Sequence, residues 1–160
     1  MTKGRYARHD KMIKEKHHDV YRSREKWREP TLCKGCGALF VNGRWTWKET
    51  SEETHPATCP ACRRIADRFP AGTIEIKGEF FAAHREEVAN LINNVEKQQK
   101  ADHPLERIME ISSGKGRTLV TTTGVHLARR IGEALSRSYK GDFSFQYGDG
   151  EKTLRVYLER

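Results

Sequence analysis

All four cysteines of this 160-residue chain fall between positions 33 and 62, in the stretch CKGCGALFVNGRWTWKETSEETHPATCPAC. They form two C-x-x-C pairs, Cys33/Cys36 and Cys59/Cys62, with 22 residues between the pairs. A C-x-x-C turn aims two sulfurs at one point, and two such turns make a tetrahedral thiolate site. One Zn2+ suits that set, because it has no redox change and accepts four thiolates in a tetrahedron. Gly37, directly after Cys36, frees the turn to fold back so that backbone N–H groups reach the sulfurs. Two disulfides would need an oxidising compartment, and a redox-active pair would want a thioredoxin-type β-α-β setting. An iron centre of rubredoxin type would use the same ligands. Zinc is the expected occupant. Four thiolates leave no coordination position for water, so the expected metal is structural and the chain is not expected to be an enzyme. His55, between the pairs, reads as a loop residue.

The composition, 36% hydrophobic and 32% charged, is too polar for a single large core. A small stapled module, one ordinary domain and a solvated segment are expected instead. No run of about 18 apolar residues offers a membrane span. The opening MTKGRYARHDKMIKEKHHD has no apolar stretch of the secretory kind, so a cytoplasmic location with reduced thiols is expected. The formal net charge is +8, and residues 1–32 hold ten Lys/Arg against five Asp/Glu. Such an excess points to a polyanionic partner.

Three regions follow. Residues 1–30 lack any apolar stripe and read as a basic tail ordered on binding. Residues 31–72 read as a four-cysteine zinc ribbon, with Leu39-Phe40-Val41 and Arg44-Trp45-Thr46-Trp47-Lys48 as a hairpin about an Asn42-Gly43 turn. A short helix is expected over 63–69, stopped by Pro70. Residues 73–160 read as strand 73–80, helix 82–100, strand 105–113, strand 117–123, helix 124–140, strand 142–147 and strand 153–160. Thr123 is the expected cap of the second helix. The class is α+β, a ferredoxin-like βαββαβ domain with an extra C-terminal strand extending one edge as a hairpin.

The cations and aromatics of the first two regions are the candidate RNA contacts. In the tail these are Arg5, Arg8 (beside Ala7), Lys11, Lys14, Lys16, His17, His18, Arg22, Arg24, Trp27 and Arg28. In the ribbon they are Arg44, Arg63 and Arg64, with Trp45 and Trp47 either stacking on bases or packing in the core. Lys115 and Arg117, in the GKGRT turn, are candidates for backbone phosphate. That turn is not a Walker loop, because its glycines join two strands rather than a strand to a helix. Phe143, Phe145 and Tyr147 read as sheet covering, since the central strand RTLVTTT carries none of the aromatics of an RNA-recognition motif. His84 and His126 read as packing or surface residues.

The C-x-x-C-G and C-x-x-C ribbon with tryptophan-bearing strands, set before an α+β domain, resembles the amino-terminal half of the large-subunit export adaptors of archaea and eukaryotes, the family named after nonsense-mediated decay. The segments CPACRRIADRFPAG, HPLERI and TTTGVHLARRIGEAL resemble a family of small bacterial zinc-ribbon proteins. The adaptors bind the intersubunit face of the large ribosomal subunit and carry paired zinc sites, whereas four cysteines here allow one. The resemblance implies a zinc-stapled module clamped on ribosomal RNA and neighbouring ribosomal proteins. The expected function is a ribosome-associated, rRNA-binding zinc protein occupying a functional face of the ribosome as a hibernation factor in stress or dormancy. The alternatives are a large-subunit assembly factor and a zinc-ribbon DNA-binding transcriptional regulator. No small-molecule substrate is expected.

Overall fold

A computed structural model describes residues 27–148, 150 and 152–160. The tail candidates from Arg5 to Arg24 lie outside the described residues. The chain is α+β, with two sheets.

The first sheet has four strands of three residues each: β1 (Thr31–Cys33), β2 (Leu39–Val41), β3 (Arg44–Thr46) and β4 (His55–Ala57). Its order is β3-β2-β1-β4, with β1 and β4 parallel and the other pairs antiparallel. The β2–β3 hairpin turns where expected. Asn42 and Gly43 both take positive φ, 54° and 79°, as a two-residue turn matching strand twist requires. His55 belongs to β4 rather than to a loop, and it is exposed.

Helix α1 spans Pro60–Asp67, three residues earlier than the helical pattern suggests. The reason is chemical. Cys59 is its N-cap, accepting from the Cys62 N–H, and Pro60 supplies a preset φ at the first helical position. Its end is set at Arg68, in the left-handed region, rather than by Pro70.

The second sheet holds β5 (Gly72–Lys77), β6 (Ile108–Gly114), β7 (Arg117–Thr122), β8 (Asp142–Gly148) and β9 (Thr153–Glu159). A one-turn helix α2 (Glu79–Ala83) leads through His84 into α3 (Arg85–Asp102), and α4 (Val125–Tyr139) connects β7 to β8. Ile74, Ile76, Val120, Leu154, Val156 and Leu158 project from the strands into one core with Val88, Ile92, Leu127, Ile131 and Leu135 of the helices. Each such aliphatic side chain contributes about 1.5–3 kcal/mol on burial.

The strand order is β6-β7-β5-β9-β8, which departs from the ferredoxin-like order with an edge extension. The last strand does not extend an edge. β9 inserts beside β5 and parallel to it, and β8 takes the outer position. Burial explains the choice. β9 hides Leu154, Val156 and Leu158 completely or nearly so, whereas Phe145 and Tyr147 of β8 keep 37% and 43% of their surface exposed. The strand with the more completely apolar face takes the interior place.

The start of α4 also differs from expectation. Gly124 is the N-cap, without a side-chain bond. The Thr123 hydroxyl donates instead to the Leu105 carbonyl and accepts from the Arg107 N–H. The orphan N–H of Leu127 is taken by the Glu106 carboxylate at 3.1 Å. A Cβ on residue 124 would lie 2.0 Å from a Glu106 oxygen, so this arrangement needs glycine there.

Candidate metal centre

The two C-x-x-C turns leave the same end of the small sheet, where the parallel strands β1 and β4 finish with Cys33 opposite Ala57. Cys33 ends β1 and Cys36 sits in the turn after it, while Cys59 and Cys62 cap and open α1. The four sulfurs lie within 4.8 Å of one another. Cys33 Sγ is 3.7 Å from Cys62 Sγ, and Cys36 Sγ is 3.7 Å from Cys59 Sγ. Sulfurs about 2.3 Å from a common tetrahedral centre stand ~3.8 Å apart, so the two short edges fit a bound ion. They are too long for disulfide bonds, whose S–S distance is about 2.0 Å. The set stands at metal-binding distances.

Backbone N–H groups support the sulfurs. The Cys59 N–H donates to Cys33 Sγ at 3.2 Å and the Cys62 N–H to Cys59 Sγ at 3.4 Å. Burial alone would raise the Cys33 thiol, but N–H groups of Cys59, Cys36 and Gly35 outweigh it and bring it down to about 6. Burial wins at Cys36 and Cys59, whose thiols are pushed up.

A fifth residue reaches the sulfurs from the other sheet. Arg107 Nη2 lies 3.3 Å from Cys59 Sγ and 3.3 Å from Cys62 Sγ. Burial opposes the charge on Arg107, and the Cys62 sulfur more than restores it. Arg107 Nε is buried with no hydrogen-bond partner. Nothing local in DHPLERI marks this arginine, since its role depends on a contact 45 residues away.

The other candidates separate into buried and surface groups. Trp45 is 9% exposed and packs with Trp27 and Phe40, each ring centroid 5.4 Å away. Trp47 lies just past β3, and its indole N–H donates to the Lys100 carbonyl at 2.6 Å, serving one of the orphan carbonyls that end α3. Trp27 and Trp47 both pack against the ribbon core. The tryptophans therefore sit in packing roles, and their rings do not form an open platform. Arg64 is buried, donates to the Phe69 carbonyl and lies over the Phe69 ring. Arg117 pairs with Glu75, and Lys115 is exposed in the β6–β7 turn. Arg28, Arg44 and Arg63 are exposed, Arg63 in the first turn of α1. Sequence reasoning also missed a cleft of about 600 Å³ between the β2–β3 hairpin and the α3–β6 connection, lined by Phe40, Arg44, His103, Glu106, His126 and Arg130 among others.

Among the described residues, no helix is long and apolar enough to cross a membrane. Comparison with protein-family models, with curated proteins and with solved structures finds no match.

Proposed function

We propose that this chain is a cytoplasmic, ribosome-associated zinc protein that binds rRNA through its N-terminal half and occupies a functional face of the ribosome as a hibernation factor. The supporting observation is the segregation of charge. Residues 1–71 carry sixteen Lys/Arg against nine Asp/Glu, whereas residues 72–160 carry fourteen against thirteen. Nearly all of the +8 excess thus lies in the tail and ribbon. Phosphate neutralisation dominates affinity for nucleic acid, so that half is the RNA-binding one.

Zinc is the metal we assign to Cys33, Cys36, Cys59 and Cys62, and when bound it would cross-link the ribbon without offering a site for chemistry. The binding reading rests on cations and not on ring stacking, because the tryptophans are engaged in packing. Arg28 and Arg44 are ribbon-side surface cations that continue the charge of the tail. Arg64, being buried, is removed from the set of contacts.

The test is sedimentation of lysate from growing and starved cells on sucrose gradients. The protein should travel with ribosomal particles, more so on starvation. Replacing Arg22, Arg24 and Arg28 by alanine should weaken the association. It should also flatten the salt dependence by about 0.7–0.9 in log–log slope for each phosphate that is no longer neutralised. A chain that stays at the top of the gradient in both conditions rules the proposal out.

A further inference from the structure

Several contacts join the ribbon to the larger domain. Arg107 donates to two ligand sulfurs, the Trp47 indole donates to the Lys100 carbonyl, and Leu105 packs against the ribbon core. The base of Arg107 is fixed. Its N–H donates to the Thr123 hydroxyl at 2.9 Å and its carbonyl accepts from the Thr123 N–H at 2.8 Å, which ties it to the end of β7. Its guanidinium is therefore aimed from a rigid strand end, and with Nε buried and unpartnered its hydrogen bonds go to the two sulfurs.

Four thiolates around a divalent ion carry a formal charge of about −2. That charge is centred where one cation from the neighbouring domain can reach two sulfurs at once. A buried guanidinium facing such a centre is paired. Facing sulfurs that no longer share an ion, it has no fixed acceptor, and a buried unpaired charge is strongly disfavoured.

We infer that Arg107 belongs to the metal site as its counter-charge, and that metal loading is what latches the ribbon onto the α+β domain. This rests on the reading of the four cysteines as a zinc site. Linkage makes the coupling reciprocal: whatever factor the metal adds to docking, docking adds to metal affinity. The latch also governs the cleft, because its walls come from both bodies and it exists only while they are docked.

The test uses the full zinc-loaded chain with Arg107→Met and Arg107→Lys. Zinc affinity is measured by competition with a chromogenic chelator. Docking is read from solvent exchange of the Trp47 indole proton, which is donated to the Lys100 carbonyl. Amide protection of Ile74 and Val120 reports the α+β core and exposes any variant that simply fails to fold. Arg107→Met should lower zinc affinity roughly 10–100-fold, the usual cost of removing a partner that supports metal ligands, and should unprotect the Trp47 indole with the core intact. Arg107→Lys should recover part of both. Excess chelator on the wild-type chain should unprotect the same indole while Ile74 and Val120 stay protected. If Arg107→Met leaves zinc affinity and indole protection unchanged, the latch is wrong and the zinc site stands. A purified chain that binds no zinc ends both.

Discussion

The ribbon and the α+β domain reach order by different means. The ribbon has strands of three residues, and two of the six buried members of its core are ligand cysteines. The domain has strands of six or seven residues and a core of thirteen buried residues, none of them cysteine. Apolar burial in a fragment of about forty residues is too small to hold it, so such modules need a cross-link. The domain is large enough to do without one. On the metal assignment proposed above, a single chain would contain a part whose order depends on an ion and a part whose order depends on the hydrophobic effect.

The three tryptophans, Trp27, Trp45 and Trp47, all fall on the ribbon side, which separates the two signals. Zinc removal should abolish near-ultraviolet dichroism from the tryptophans while the far-ultraviolet helical signal, which comes mostly from α3 and α4, persists. The expected cost is the whole metal-binding contribution, on the order of 10 kcal/mol. Simultaneous disappearance of both signals would show that the two regions do not differ as described. The converse change is Ile131→Ala, at a side chain with 0% exposure in the domain core. It should cost about 2–5 kcal/mol in the far-ultraviolet transition and leave zinc affinity nearly unchanged. A matching fall in zinc affinity would mean that the domain core supports the metal site directly.

The smallest effect concerns pH. Burial raises the Glu106 carboxyl, against the Leu127 N–H and the nearby His126 and His103, which lower it. With the folded-state value above the unfolded one, its contribution is fully present below the ordinary carboxylate range and is lost as pH rises through the folded-state value. Glu106→Gln keeps an acceptor for the Leu127 N–H and removes that decline. Denaturant titrations of both proteins from about pH 4 to 7 should show the variant gaining on the wild type as pH rises, by an amount of order 1 kcal/mol. Parallel curves would show that the carboxyl is not held in its neutral form by burial.

Legibility in the sequence followed locality. The cysteine set, the Asn42-Gly43 hairpin and the two long helices are written in spacings of a few residues, and each stands near its expected place, although α3 runs over Arg85–Asp102 rather than 82–100 because Glu79–Ala83 forms a helix of its own. The start of α1 escapes such a reading because a ligand cysteine doubles as its cap, a use that apolar periodicity does not register. The position of β9 escapes it because two terminal strands of similar length compete for one place, and burial over the whole sheet decides between them. Arg107 and the Glu106–Gly124 fit are invisible for a related reason, since each is a contact between elements distant in the chain. The tryptophans show the same limit from the other side. Their type and parity allow either packing or stacking, and only the neighbouring rings and the Lys100 carbonyl distinguish them.

Arg107 follows the last ligand, Cys62, by 45 residues, and that interval is also a delay. During synthesis at about 5–20 residues per second, it corresponds to roughly 2–9 s. The nascent chain can therefore gather its ion before the partner that completes the assembly has been made. On the proposed latch, acquisition would come first and mating of the two bodies second, in an order fixed by the direction of translation.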